Sequence, residues 1–110
     1  MANTFTRKIS RNLGAGPTAI GTYTVGASTS VVVMGITIAN VTTSPITVDI
    51  SLYDGTNDYF IVKTAPIAPG ESLVLAGGEL KIVMTTNDQI RVVSSAATSV
   101  DAILSIMEIT

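Results

Sequence analysis

Histidine, cysteine and tryptophan are absent from this chain of 110 residues, charged residues make up only 13% of it and aromatic ones 5%. Each absence excludes something. Without histidine no side chain titrates near neutrality at its unperturbed pKa, and without cysteine there is neither a thiolate nor a soft metal ligand. No disulfide can support the fold, which fits manufacture in a reducing cytoplasm. Three tyrosines and two phenylalanines are too few for a base-stacking platform or a carbohydrate-binding strip. A net charge of −2 argues against nucleic acid as a partner, because such binders carry a strong positive field. The N-terminal segment up to Ala15 has no apolar run of the secretory kind. Val31 to Val41, the most apolar stretch, is too short to span a bilayer and is interrupted by Gly35, Thr37 and Asn40, so no membrane partner is expected.

What the chain does contain is β-branched. Val, Ile and Thr account for 41 of the 110 residues, and such side chains are stiff at χ1 and pack well on a pleated surface. With 46% hydrophobic residues the chain is too apolar to hide its apolar surface as a monomer, and stable self-association is expected. The chain reads as a surface rather than a reactor. No enzymatic activity, cofactor, metal or catalytic residue is expected.

Punctuation along the chain sets the organisation. Residues 1–16 are polar and basic and end on Gly14-Ala15-Gly16-Pro17, a breaker cluster that marks them as an N-terminal arm. Residues 17–110 carry candidate strands at Thr18–Val25, Ser30–Val41, Ile46–Tyr53, Asp58–Ala65, Ser72–Ala76, Leu80–Met84, Gln89–Ser95 and Val100–Ile109, separated by turn residues. Ile46, Val48, Ile50 and Leu52 alternate with polar neighbours in the manner of a half-buried strand. The spacing predicts an all-β, single-domain antiparallel β-sandwich of about eight strands, jelly-roll-like or immunoglobulin-like, with the arm outside it.

Two strands are apolar on both faces. In the last, Val100, Ala102, Leu104 and Ile106 lie on one side and Ile103, Met107 and Ile109 on the other. Ser30–Val41 sets Val31 and Val33 against Val32, Met34, Ile36 and Ile38. A sandwich strand has one core face, so the second must meet a partner. Ile103, Met107 and Ile109 are the candidate oligomer interface. In the arm, Phe5, Ile9 and Leu13 recur every fourth residue among Arg7, Lys8 and Arg11, a pattern suited to docking on a partner protein. The acidic run Asp54-Gly55-Thr56-Asn57-Asp58 is read as a tight turn rather than a calcium loop, because it lacks a distal bidentate Glu.

The residues also carry a family likeness. The start Met1-Ala2-Asn3-Thr4-Phe5, Tyr23-Thr24-Val25, Val33 to Asn40, Ala65-Pro66-Ile67 with Pro69-Gly70-Glu71-Ser72, Ile90 to Ser95 and the end Leu104 to Thr110 resemble a family of small virion structural proteins of tailed bacteriophages, common among those infecting cyanobacteria and other marine bacteria. The resemblance spans nearly the whole chain, and its motifs are structural. It implies a capsid cement or decoration protein, or a neck or tail component. The implied partners are the major capsid protein or neck and tail proteins. It further implies a homotrimer, assembled in the bacterial host cytoplasm and resident in the virion.

Overall fold

The computed structural model describes residues 3–76 and 82–110. The strands are β1 (Asn3–Leu13), β2 (Thr18–Ala19), β3 (Ser30–Asn40), β4 (Ile46–Tyr53), β5 (Asp58–Ile67), β6 (Ser72–Ala76), β7 (Ile82–Met84), β8 (Gln89–Ser94) and β9 (Val100–Ile109). A single 3-10 turn, Ile20–Thr22, follows β2, and no α-helix occurs among the described residues. The turn residues between the strands expected over Ser72–Ala76 and Leu80–Met84, and the start of the latter at Leu80, lie outside the described residues.

All strand pairs are antiparallel and form two sheets. The first runs β1-β9-β3-β6, with β7 continuing the β6 position along the N-terminal half of β3; the second runs β2-β8-β4-β5. The first half of the chain therefore pairs with the second half in reverse: β1 with β9, β2 with β8, β3 with β7 and β6, β4 with β5. A long antiparallel ribbon rolled so that its pairs fall in two sheets is a jelly roll. This order excludes the immunoglobulin arrangement.

Between the sheets lies a dry aliphatic core. Val31, Val33, Ile36 and Ile38 of β3 and Val100, Ala102, Leu104 and Ile106 of β9 face Val48 and Ile50 of β4 and Ile90 and Val92 of β8, all at most 1% exposed. The expected alternation in β4 holds through Ile50, after which Ser51 is buried and Leu52 only half-buried.

Three expectations need correction. Residues 1–16 are not a separate arm: Asn3–Leu13 is a strand of the first sheet, paired with β9 along its length. Its apolar spacing misleads because the register shifts between Ser10 and Leu13, where Asn12 adopts a φ of 59°. That bulge turns Leu13 into the core at 7% exposure while Phe5 and Ile9 stay outside. In β3 a shift between Val33 and Gly35 leaves Met34 as an extra residue, so Ile36 and Ile38 join Val31 and Val33 in the core instead of sharing a face with Val32. Finally, the strand expected over Thr18–Val25 stops at Ala19, because Gly21 and Thr22 take positive φ. There the chain crosses over β1, and the Gly21 N–H donates to Ser10 Oγ at 2.7 Å.

Candidate assembly surface

β9 and β3 form the middle of the first sheet, and their second apolar faces point away from the core. Strand register arranges that outer face in rows. Phe5, Met107, Val32 and Val83 are successive cross-strand neighbours from β1 to β7. Four residues further along the strands, Ile9, Ile103, Thr37 and Val74 form a parallel row. Between them runs a row of Arg7, Ser105 and Gly35, two of which are small. Two apolar ridges thus flank a shallow trough, with centres about 13 Å apart at the usual rise per residue.

The ridges are open to solvent: Phe5 is 70% exposed, Val83 60%, Val74 58% and Ile103 46%. Six of the nine exposed large hydrophobic residues described, Phe5, Ile9, Met34, Val74, Val83 and Ile103, lie on this face. Side chains of this size, about half exposed, present on the order of 600 Å² together, the top of the range for a monomer's largest patch. A standard protein interface takes about 800 Å² from each partner.

The basic residues of β1 divide between its two sides. Arg7 and Arg11 point outward with the ridges, and neither has a carboxylate in ion-pair range among the described residues. Arg7, Ile9, Arg11, Asp101 and Ile103 line a concavity of about 500 Å³ at the β1 edge; Phe5, Arg7, Met34 and Ser105 line a second of about 400 Å³ in the trough. Lys8 turns the other way and sits over the Tyr23 ring, 4.7 Å from its centroid. The Tyr23 hydroxyl donates to Glu108 Oε2 at 2.6 Å. Burial, and then this bond and the charge of Glu108, push the Tyr23 phenol far above its usual range. That cluster ties β1, β9 and the segment after β2 together. It is structural.

The outer face of the second sheet is different in kind. Asp49 pairs with Lys63 at 3.2 Å, the Arg91 guanidinium lies 3.6 Å from the Tyr53 ring centroid, and Arg91 Nε donates to Gln89 Oε1 at 3.1 Å. Asp49 and Lys63 neutralise each other, and Arg91 is held by a ring and an amide. The acidic run between β4 and β5 is a turn, in which Asp54 Oδ1 accepts the backbone N–H groups of Thr56 and Asn57. The N–H bonds from Asn57 and then Thr56 hold the Asp54 carboxyl below the usual carboxylate range. No group of three or more metal-ligating side chains occurs among the described residues.

The structure therefore brings together residues the sequence assigned to two surfaces. Phe5, Arg7, Ile9 and Arg11, read as docking anchors, share one continuous face with Ile103, Met107 and Ile109, read as an oligomer interface. Lys8 and Leu13 do not belong to it. Val74 and Val83 were missed because β6 and β7 are short, and only their pairing with β3 places them on this face. Tyr59 and Phe60, about half exposed at the start of β5, were also missed.

No family model and no curated protein matches the chain. Its fold is similar to that of a solved Bacillus endospore appendage protein, described as belonging to a novel family of disulfide-linked pili, with a TM-score of 0.55 and 19% identity over 99% of this chain and 87% of that one.

Proposed function

We propose that this chain is a non-enzymatic structural protein of a bacteriophage virion, acting as a capsid cement protein that binds across neighbouring capsid subunits. The observation that carries this reading is the apolar outer face of the first sheet, ridged, open to solvent and at the top of the size range for a solitary protein. The family likeness in the sequence supplies the setting. A protein that binds the closed shell and not its separated parts stabilises the shell by mass action, and many copies of modest affinity add up through multivalency. The appendage protein of similar fold is itself part of a polymer, which supports an assembly role. Lacking cysteine, this chain would assemble through its faces and not through disulfides. A neck, collar or tail position is the second reading, favoured by the same face.

Mass spectrometry of purified virions, quantifying this chain against the major capsid protein, tests the proposal. Cement stands in copy numbers comparable with the capsid protein, and a neck component in those of a single ring. Absence of the chain from the particle overturns both.

A further inference from the structure

We infer that the trough on the first sheet takes the β4–β5 hairpin tip of a second copy, so that copies associate head to tail. The inference rests on reading this face as an assembly surface, and it names the occupant. Arg7 and Arg11 stand at the β1 edge of the face without carboxylate partners among the described residues, and charged groups of this kind seek acidic ones. The complementary set is on the same chain. Asp54, Asp58, Tyr59 and Phe60 are all exposed at the hairpin tip, the two rings at 54% and 52%. Asp58 and Phe60 share one face of the hairpin, opposite Tyr53 and Ser51, with Tyr59 on the other face. A carboxylate beside a ring matches a guanidinium group beside an apolar ridge, and the trough between the ridges has about the width of a ring. Lys63, 4.5 Å from the Phe60 ring centroid, is the cation that has to swing aside.

A chain cannot serve itself in this way. The hairpin belongs to the edge of the second sheet, and its base pairs Tyr53 with Gln89 at the end of the roll where β8 begins. The trough lies on the outside of the first sheet, and Arg11 is at the opposite end, where β9 begins near Val100. Hairpin and trough occupy different patches of the surface, so the contact between copies is heterologous. A heterologous contact closes into a ring when the rotation permits, and a trimer is the smallest such ring. Asp101 in the concavity is the unfavourable element, but its Oδ1 already accepts the Asn12 N–H at 3.0 Å.

The test is light scattering on the wild-type chain and on variants disabled on one side only. Arg7→Gln with Arg11→Gln removes the charge of the trough. Asp54→Asn with Asp58→Asn removes that of the hairpin while keeping the oxygen that caps the turn. Each double variant should fold by circular dichroism and need about tenfold more protein to assemble. For a stronger cut, Ile9→Asp disables the trough and Phe60→Lys the hairpin. Each alone should be monomeric, and an equimolar mixture should form a dimer that cannot grow, since one good trough and one good hairpin remain. A wild-type monomer at tens of micromolar overturns the inference. So do hairpin variants that assemble like wild type while trough variants do not, which would assign the face to an isologous contact or a foreign protein. A wild-type monomer that is nevertheless abundant in virions would sink this inference and leave the proposed function standing. An oligomer with the expected mixing behaviour, from a chain missing in virions, would do the reverse.

Discussion

Ile9 and Ile103 lie directly opposite each other in the register of β1 and β9, and both are about half exposed. Their neighbours Lys8 and Leu104, also opposite each other, face the other way, with Leu104 only 1% exposed. One step along β9 thus separates the candidate assembly surface from the core. Ile103→Asp should leave the circular dichroism spectrum and thermal midpoint nearly unchanged and dissociate the oligomer. Leu104→Asp should give unfolded protein, because an unpaired buried charge costs several kcal/mol, comparable with a small domain's whole stability. Light scattering and thermal melts on the two variants separate the outcomes.

Removing β1 should be far more damaging than trimming a loose terminus. Deletion of residues 1–13 bares the inner edge of β9 and takes Leu13 from the core, where even Leu→Ala substitutions cost about 2–5 kcal/mol. We expect the truncated chain to be insoluble or to lack a cooperative melt. A soluble truncated protein with an unchanged melt would mean that β1 does not belong to the roll.

Gly21→Ala probes the same attachment with one methyl group. Gly21 has a φ of +65°, and a Cβ there would sit 2.7 Å from Lys8 Cβ and 3.2 Å from the Ile9 nitrogen. The added carbon meets both strained backbone and the β1 main chain, so about 1–3 kcal/mol of stability should be lost. Gly55→Ala is the control: its φ of +98° is unfavourable too, but nothing lies within 4 Å. Urea denaturation should show the larger loss at Gly21.

Acid should weaken the fold only below the ordinary carboxylate range. The Thr64 N–H donates to Asp49 Oδ1 at 2.6 Å, and this bond, with a smaller contribution from Lys63, holds the Asp49 carboxyl below its usual pKa. A depressed carboxyl stabilises the folded state above its unfolded pKa of about 4, and that contribution is lost as pH falls through the folded value. With no histidine in the chain, the urea midpoint should stay flat from about pH 8 to pH 5 and fall below about pH 4. Asp49→Asn should flatten that acid limb, which titration of the urea midpoint will show.

Much of the roll was legible because β-branched runs and Gly/Pro clusters mark strands and corners whatever the tertiary context. The division of β9 into a core side and an outer apolar side was legible for the same reason, since its period of two runs unbroken from Val100 to Ile109. Bulges were not legible. The extra residue near Asn12 and the one at Met34 each reverse every later side chain, which is why Leu13, Ile36 and Ile38 were set on the wrong faces. The place of residues 3–13 in the sheet was hidden by polarity. At this edge of the first sheet, Thr6, Lys8 and Ser10 fill the inward-facing positions and are only half-buried, so β1 lacks the apolar alternation that announces a strand. The charge difference between the two outer faces needed the pairing of Asp49 with Lys63 and of Arg91 with Tyr53, which no linear spacing predicts.

Hydroxyl-radical footprinting, comparing the dissociated chain with the assembled oligomer or the particle that contains it, addresses the outer face of the first sheet itself. Phe5, Met34 and Met107 react readily with radicals and stand on that face, whereas Val93, opposite Asp49, stands on the outer face of the second sheet away from the β4–β5 hairpin. We expect oxidation of Phe5, Met34 and Met107 to fall sharply on assembly while Val93 stays unchanged. Equal oxidation of Phe5, Met34 and Met107 in the free and assembled states would contradict the assignment of this face to assembly.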